Sequence, residues 1–246
     1  MLKQISKYFI NNLLKLFNLQ VNKITLSNNF NYYIVQTLKH YKIDIVIDIG
    51  ANEGQFAKNI IQYGYKNKII SFEPIKNIHQ ILKKNSKNYN NWIIEENIGF
   101  GETEGTKEIN ISKNNVSSSI LKIKKKFVNL KPDTEQIRKE KIKITTLDNY
   151  LNKNSFNNNK LFIKLDTQGY EENIIRGAKK KIKNITGFML EVSIEAIHKK
   201  EKDYSDIIKL MKKMGFSVWS VERGFSSKKT GQVLQIDIIF INDNEK

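Results

Sequence analysis

The chain has 246 residues, a formal net charge of +17 and no cysteine. The absence of cysteine excludes disulfides, thiolate metal sites and a cysteine nucleophile, and it predicts a reducing, cytoplasmic location. The length suits one sizeable core, and no Pro/Gly/Ser-rich linker divides the chain. We therefore predict an N-terminal helical extension over residues 1–42 and one catalytic domain over residues 43–246.

The positive charge comes almost entirely from lysine. Of the 42 basic residues only Arg138, Arg176 and Arg223 are arginine, the side chain best suited to forked contacts with phosphate and guanine. A chain rich in lysine and asparagine is typical of an AT-rich genome, so the charge is compatible with a merely solvated surface. It is also compatible with an anionic partner such as a nucleotide-sugar, an acidic glycan, a membrane surface or RNA. Among these partners, nucleic acid is disfavoured.

The segment Met1–Gln20 has the spacing of an amphipathic helix, in which Asn11, Asn12 and Lys15 interrupt any long apolar run. It is too polar to span a membrane, and no small-residue cleavage site follows it. Two interpretations stay open: a helix laid over the core, which is favoured, and a peripheral contact with a membrane surface. A second helix is predicted at Phe30–Lys39. The apolar face of the first helix consists of Leu2, Ile5, Phe9, Leu13, Leu16 and Phe17.

A strand, a glycine turn, a helix and a second strand come next. The β-branched run Ile45–Ile49 predicts a buried parallel strand, and the turn Gly50–Gly54 leads into an amphipathic helix at Gln55–Tyr63. The second strand, Lys68–Phe72, ends at Glu73. A doubly wound fold places at this point the carboxylate that binds a ribose diol.

The glycine turn separates two classes of cofactor. A dinucleotide site needs Gly-x-Gly-x-x-Gly so that the backbone can approach a pyrophosphate, but Asn52 stands at the second glycine position. S-adenosylmethionine carries an amino acid and a sulfonium instead, which suit the carboxylate of Asp48, and Glu73 would accept hydrogen bonds from both ribose hydroxyls. The alternative is that Asp48 caps the following helix and that Glu73 is only an exposed acid. The predicted cofactor-binding residues are Asp48, Gly50, Asn52, Gly54, Glu73 and Asn97.

Asn97 is included because it follows the next predicted helix and strand. A helix at Asn77–Lys84 and a strand at Trp92–Glu95 continue the alternation of a doubly wound fold. In that fold the end of this strand lies beside the adenine, so Asn97 or the backbone of Ile98 could bind the edge of the ring. An ordinary turn is the alternative interpretation.

A long segment between two short predicted strands has no consistent periodicity. The strands are Lys107–Ile111 and Lys141–Thr145, and the segment between them is Ser112–Glu140. We interpret this segment as the element that covers the substrate, because long insertions beside active sites are often lids. Its lysines are more typical of a solvated face than of a ligand site, yet they would suit a diphosphate-linked or carboxylated glycan.

The strand Lys160–Leu165 delivers Asp166 to the carboxyl edge of the sheet, where a doubly wound fold carries out its chemistry. Methyl transfer to a hydroxyl is an in-line displacement, in which the oxygen must be held and its proton removed. Asp166 is therefore a candidate general base, a candidate group for orienting the hydroxyl, or a candidate ligand of a divalent cation. Glu171 is predicted to cap the next helix and stabilise the preceding turn.

Two further catalytic candidates accompany the strand Phe188–Val192. Glu191 lies near its end, and His198 follows in the loop, where the ordinary pKa of histidine suits proton removal near neutral pH. The alternative for His198 is an exposed loop histidine. A terminal ribbon, Ser217–Val221 and Val233–Ile241, is predicted to close the sheet with an antiparallel strand. The candidate catalytic residues are Asp166, Glu191 and His198.

Taken together, six of these segments resemble the ordered motifs of FkbM-type S-adenosylmethionine-dependent O-methyltransferases. The most specific is Lys-x-Asp-x-x-Gly-x-Glu, because class I methyltransferases in general share the first glycine turn. The resemblance covers about residues 43–242 and implies methylation of hydroxyls on glycans, polyketides and similar products. It is carried by Val46–Asn52, Phe72–Pro74, Asn97–Gly99, Thr146–Asp148, Lys164–Glu171 and Val233–Asp237.

The sequence thus predicts an α/β, doubly wound, Rossmann-like class I methyltransferase fold with a seven-stranded, mostly parallel sheet and an antiparallel C-terminal strand. The predicted activity is O-methylation of a carbohydrate or other small hydroxylated acceptor, with S-adenosylmethionine as cofactor and a divalent cation as a further candidate. One alternative is an RNA or DNA methyltransferase, although Leu165–Gln168 is not the expected Asp/Asn-Pro-Pro-aromatic segment. The other is a non-catalytic binding module, which intact Asp48, Gly50, Glu73 and Asp166 disfavour.

Overall fold

The computed structural model describes residues 10–17, 19–154, 156 and 158–245. Its main sheet consists of β1 (Ile45–Ile49), β2 (Lys68–Phe72), β3 (Trp92–Ile94), β7 (Leu161–Leu165), β8 (Ile185–Ser193), β9 (Phe216–Arg223) and β10 (Gln235–Asn242). These seven strands lie in the order β3-β2-β1-β7-β8-β10-β9. The order reverses between β1 and β7, which is the switch point of a doubly wound sheet.

The direction of the strands confirms the predicted fold class. From β3 to β8 the neighbouring strands are parallel, whereas β10 is antiparallel to both β8 and β9. The central strands β1 and β7 are buried along their whole length. Apart from Asp48 and Lys164, which face each other in register, their residues are aliphatic or aromatic. Such strands are typical of a sheet covered on both faces.

Helices cover the two faces of this sheet. The α-helices are α1 (Phe30–His40), α2 (Gln55–Gln62), α3 (Lys76–Ser86), α4 (Lys125–Leu130), α5 (Leu147–Lys153), α6 (Glu171–Arg176) and α7 (Tyr204–Lys213). Alternate residues of β1 point to opposite faces. Val46 therefore packs with α1, α2 and α3 through residues such as Ile60, whereas Ile47 packs with α5, α6 and α7 through residues such as Ile174.

A second, three-stranded sheet stands beside the first and was not predicted as a separate unit. It consists of β4 (Gly99–Phe100), β5 (Gly105–Ser112) and β6 (Gln136–Thr145), in the order β4-β6-β5. Two of its strands were predicted but are longer than expected. The first half of β6 is mainly exposed, so it lacks the alternation of buried and exposed residues on which strand prediction relies.

The segment Ser112–Glu140 contains regular structure that its sequence does not indicate. It includes α4, a 3₁₀ turn at Pro132–Thr134 and the beginning of β6. Isolated bridges pair Ser119 with Asn110, and Ile123 with His198. The segment is therefore fastened both to the small sheet and to the loop after β8. Its predicted role as a substrate cover stays a prediction.

The described part of the N-terminal segment does not pack as expected. Residues 10–15 are helical, but the side chains of Leu13, Leu16 and Phe17 are exposed. Packing on the core is therefore not observed for residues 10–17, whereas α1 is packed there through buried Ile34 and Leu38. The predicted contacts of Leu2, Ile5 and Phe9 lie outside the described residues, and the domain division at residue 42 stays a prediction. Within the described ranges, none of the helices has the length and apolar character required to cross a bilayer.

Candidate functional site

A cleft opens at the carboxyl ends of β1, β2 and β7, where the sequence predicts the cofactor. It contains about 680 Å³ of empty space, including open solvent at its edge, and we call it the first cleft. Its walls are mostly apolar, and Ile98, Phe100 and Tyr170 are typical of them. The polar side chains in the wall include Asn52, Glu73, Asp166, Gln168, Asn115 and Ser118.

The glycine turn after β1 is shaped by close packing as well as by backbone angle. Gly50 has φ +78°, and a Cβ atom there would lie 2.0 Å from the carbonyl oxygen of Asp166. Gly54 has φ +91°, and its Cβ would lie 2.2 Å from the ring of Trp92. Any side chain at either position would therefore collide with a neighbour in addition to straining the backbone. The turn can pack against the end of β7 on one side and against β3 on the other only because these two positions are glycine.

Glu73 lies in the wall of the first cleft as predicted, and it is only 4% exposed. Its Oε2 accepts a hydrogen bond from the backbone N–H of Asn52 at 2.9 Å, and its Oε1 accepts one from Ile75 at 2.8 Å. Burial raises the pKa of Glu73 to about 7, although these two backbone hydrogen bonds oppose the increase. The carboxylate is thus held rigidly while each oxygen keeps a second lone pair for a ligand.

Asp48 and Asn97 lie behind the wall of the first cleft rather than in it. Asp48 is fully buried; its Oδ1 lies 3.2 Å from Lys164 Nζ, and its Oδ2 accepts a hydrogen bond from Ser71 Oγ at 3.3 Å. Asn97 donates its side-chain N–H to the carbonyl oxygen of Glu73 at 2.7 Å, while neighbouring Ile98 lines the cleft. Direct contact of Asp48 or Asn97 with a cofactor stays a prediction. In the structure both support residues that do line the cleft.

Asp166 is the exposed member of a charged row that begins at Asp48. Lys164 lies between the two acids, with its Nζ 3.3 Å from Asp166 Oδ2, and it is itself buried. Burial opposes the charge of Lys164, but the carboxylates of Asp48 and Asp166 outweigh burial and raise the pKa of Lys164. The Asp166 side chain remains 32% exposed and reaches the first cleft. Lys164 is thus a fixed cation beneath the partly exposed carboxylate of Asp166.

Gln168, which the sequence did not single out, links Asp166 to Glu191. Its Nε2 donates to Asp166 Oδ1 at 2.8 Å and to Glu191 Oε2 at 2.6 Å. The backbone of Gln168 has φ +55°, and its carbonyl accepts a hydrogen bond from Ser119 Oγ at 2.7 Å. The Lys-x-Asp-x-x-Gly-x-Glu motif contains this position only as an unspecified residue, so the sequence carried no separate signal for it.

Glu191 belongs to a second group of acids next to Gln168. Its Oε2 also accepts a hydrogen bond from Gln235 Nε2 at 3.0 Å, and Asp237 pairs with Glu191 in register across β8 and β10. Burial and the neighbouring charges of Asp166 and Asp237 raise the pKa of Glu191. Burial, followed by the charge of Asp166, raises the pKa of Asp237 to about 7. Asp237 was visible in the sequence only as the end of the segment Val233–Asp237.

Glu171 stabilises the preceding turn as predicted, whereas the predicted capping of the helix is not observed: the helix begins after Tyr170 without a side-chain capping hydrogen bond. Its Oε1 accepts hydrogen bonds from the backbone and hydroxyl of Thr167, at 2.8 and 3.0 Å, and from the backbone of Gly169 at 3.3 Å. It is buried at the start of α6, and burial raises its pKa to about 7. The carboxylate therefore holds the turn that presents Asp166 and Gln168.

A second cleft adjoins the first and shares Val116 and Gln168 with it. It contains about 670 Å³ of empty space, again including open solvent, and Glu191 and His198 are in its wall. His198 is 1% exposed, so the interpretation of an exposed loop histidine is wrong. The structure thus places Asp166 in the first cleft, and His198 and Glu191 in the second. The remaining wall residues include Ile123, Phe127, Leu130, Lys131, Ile197, Phe225 and Gln235.

The acids and histidines of this region do not form a recognisable metal centre. Within residues 10–17, 19–154, 156 and 158–245, no three or more His, Asp or Glu side chains are grouped in a way that could hold a metal ion. The candidate divalent cation therefore has no ligand set to which it can be assigned here.

Comparison with known proteins identifies the family of this chain and solved structures with a similar fold. The sequence matches the family described as the methyltransferase FkbM domain over residues 48–218. No curated protein matches the chain. The fold resembles cofactor-bound Rv0187 from MTB, with 9% identity, a TM-score of 0.50, and coverage of 91% of this chain and 84% of that one.

Two further solved structures are similar at lower TM-scores. TrmK from M. capricolum, in complex with S-adenosylhomocysteine, has 8% identity, a TM-score of 0.47, and coverage of 87% of this chain and 69% of that one. Precorrin-6y C5,15-methyltransferase from Geobacter metallireducens has 10% identity, a TM-score of 0.45, and coverage of 86% and 87%. Similarity at these identities concerns the fold alone.

Proposed function

The chain belongs to the FkbM methyltransferase family, and we propose that it transfers the methyl group of S-adenosylmethionine to a hydroxyl group of a sugar. The family supports methyl transfer, whereas the hydroxyl and the sugar are our proposal. The observation that carries it is the acid pair Asp166 and Glu191, joined through Gln168 where the two clefts meet. An acid pair at the carboxyl edge of the sheet suits removal of a proton from a hydroxyl.

The residues of the first cleft fit S-adenosylmethionine. Glu73 offers two fixed carboxylate oxygens for the two hydroxyls of a ribose, and each oxygen is already oriented by one backbone N–H. The apolar wall that includes Ile98 and Phe100 suits the flat face of an adenine. Gly50 and Gly54 leave the two ends of the turn free of side chains. When bound, S-adenosylmethionine supplies an electrophilic methyl group whose sulfur leaves as a neutral thioether.

The chain's own acids then have separate tasks in our proposal. Asp166 orients the acceptor by accepting a hydrogen bond from a sugar hydroxyl next to the reacting one, and its Oδ2 lies 3.3 Å from the ammonium of Lys164. Glu191, whose raised pKa makes it a stronger base than an ordinary carboxylate, takes the proton as the oxygen forms its bond to carbon. Gln168 fixes the spacing of the two acids, because its single amide nitrogen donates to both.

Substitution of Asp166 by asparagine tests this assignment. The change is nearly isosteric and keeps an oxygen that can accept from Gln168, so the affinity for S-adenosylmethionine should stay close to that of the wild type. Turnover should decrease by ~10²-fold or more, because the group that orients the acceptor loses its charge. Calorimetric titration measures the affinity, and mass spectrometry measures the gain of one CH₂ in glycans extracted from cells that lack the protein.

Asp206→Asn is the matched control, since Asp206 is a half-exposed aspartate on α7 that lies 3.9 Å from Lys202, outside both clefts. Full turnover of Asp166→Asn on the natural acceptor would disprove the assignment and move the search to Glu191 and His198. EDTA addresses the third candidate role of Asp166: loss of activity that Mg²⁺ restores indicates a metal ligand, whereas unchanged activity indicates orientation or proton removal.

A further inference from the structure

The second cleft has the features of a binding site for a charged ring. Its wall combines the aromatic rings of Phe127 and Phe225 with the aliphatic side chains of Ile123 and Ile197. Aromatic rings bind the apolar C–H face of a sugar while its hydroxyls point sideways towards polar groups. Such polar groups are present in the same wall, where Gln235 and Glu191 lie next to Gln168.

His198 supplies a polar group without a partner. It is 1% exposed and lines the second cleft, and its Nδ1 lies 3.4 Å from Glu201 Oε2. Burial opposes ionisation of Glu201, but hydrogen bonds from His198 and Ser193 outweigh burial and lower the pKa of Glu201. The ring is thus oriented by a carboxylate on one side. Neither Nδ1 nor Nε2 of the ring forms a hydrogen bond in the part of the chain that the structure describes. A buried ring nitrogen in a cleft wall is expected to be satisfied by a ligand.

Lys131 adds a positive charge to the same cleft. Its Nζ lies 5.0 Å from the centre of the Phe225 ring, so the ammonium and the aromatic face are presented together. Two neighbouring lysines are occupied: Lys124 donates to the carbonyl oxygen of Ala196, and Lys126 is paired with Glu195. Lys131 forms no ion pair with any described residue, which leaves its charge available for an anion.

From these features we infer that the second cleft is the acceptor site and that it binds a sugar ring with an acidic substituent. The ring stacks on Phe225, its hydroxyls meet His198 and the acid pair, and Lys131 binds the carboxylate or phosphate. This inference rests on the proposed function, because it supplies the acceptor that the acid pair would act on. Gln168 and Val116, shared by both clefts, mark where acceptor and cofactor come together.

The test compares two probes that differ only in the acidic group. Methyl β-D-glucuronide and methyl β-D-glucoside are titrated separately into the full chain with S-adenosylhomocysteine present, and binding is followed by saturation-transfer difference NMR. The glucuronide should bind at least about tenfold more tightly, which is the contribution of one charge-assisted hydrogen bond. In Lys131→Met this difference should disappear, whereas the affinity for S-adenosylhomocysteine should be unchanged.

Lys139→Met is the matched control, because Lys139 is an exposed lysine paired with Glu108 on the small sheet. It should leave the preference for the glucuronide intact, and Phe225→Leu should weaken the binding of both glycosides.

Equal binding of the two probes, an equal effect of Lys139→Met, or tighter binding of a short single-stranded RNA would overturn the inference. If the glucuronide binds as expected but accepts no methyl group, the proposed function fails and the binding site stands. If methyl transfer proceeds unchanged in Lys131→Met, the acceptor assignment fails alone.

Discussion

The two clefts meet at Gln168 but are built in different ways. The first is defined mainly by backbone: a glycine turn packed against β7, and a carboxylate of Glu73 held by two main-chain N–H groups. The second is defined by side chains that come from α4, from the loops after β8 and β9, and from β10. A site built by backbone tolerates few changes, whereas a site built by side chains can be altered one residue at a time.

Replacing Gly50 by alanine should have the largest effect, because it disrupts the backbone-defined cleft at its most crowded point. The added Cβ would lie 2.0 Å from the Asp166 carbonyl oxygen, and the backbone has φ +78°. We expect a loss of more than about 3 kcal/mol in the free energy of unfolding, and no detectable binding of S-adenosylhomocysteine. Chemical denaturation and calorimetric titration measure the two quantities.

The variant Gly231→Ala distinguishes the cost of steric crowding from the cost of backbone strain. Gly231 has φ +74°, but nothing lies within 4 Å of its added Cβ. This control should cost only about 1 kcal/mol, the strain of the left-handed conformation alone. Similar losses in the two variants would show that the turn is not shaped by its contact with β7.

Replacing Glu73 by glutamine should have the next largest effect and should also change the pH dependence of binding. Glu73 has a pKa raised to about 7, so the wild type loses the charged acceptor as the pH decreases below neutrality. Affinity for S-adenosylhomocysteine should decrease by about tenfold per pH unit between pH 6.5 and 5. Glu73→Gln should bind at least about tenfold more weakly at pH 8 and should lose this slope.

Glu53→Gln is the control for this measurement, because Glu53 is an exposed acid in the same turn. It should reproduce the wild-type affinity at every pH. An unchanged slope in Glu73→Gln would assign the titration to another group, and tight binding of NAD in place of S-adenosylhomocysteine would remove the cofactor assignment altogether.

The smallest expected effect concerns Gln168, where the two clefts meet. Methionine in its place keeps the length of the side chain but removes the N–H groups that stabilise the charged forms of Asp166 and Glu191. The pKa of Glu191, already raised, should increase further, so the acidic limb of the pH–rate profile should move upward by about one unit. Activity should decrease on the acidic limb of the profile and stay close to the wild type on its alkaline plateau. A uniform decrease at all pH values would indicate a structural role only.

The sequence predicted the first cleft better than the second for a physical reason. Gly50, Glu73 and Asp166 follow strands directly, so strand periodicity alone brings them to one edge of the sheet. Asp48 lies within β1, so strand periodicity places it near the same edge. Its contact with buried Lys164, however, depends on packing between strands that the spacing of residues does not reveal. Gln168, Asp237 and Lys131 carry no local signal, because their importance arises from neighbours that are distant in sequence.

A similar limit applies to the fold. The seven-stranded sheet was predictable because β1 and β7 are continuous apolar runs covered on both faces. The small sheet was not, since the first half of β6 is exposed and charged and is held mainly by pairing with β5. The pairing of β6 with β5 depends on the register between two strands that are far apart in the chain.

The attachment of the segment Ser112–Glu140 bears on how this protein could acquire new substrates. The segment supplies Ile123, Phe127 and Lys131 to the second cleft, yet it contributes no strand to the seven-stranded sheet. Substitutions, or even a change of length, on the C-terminal side of its bridge at Ile123 would therefore alter the second cleft without changing the glycine turn or Glu73. In our proposal, in which the second cleft binds the acceptor, acceptor specificity can thus diverge during evolution while the first cleft stays the same.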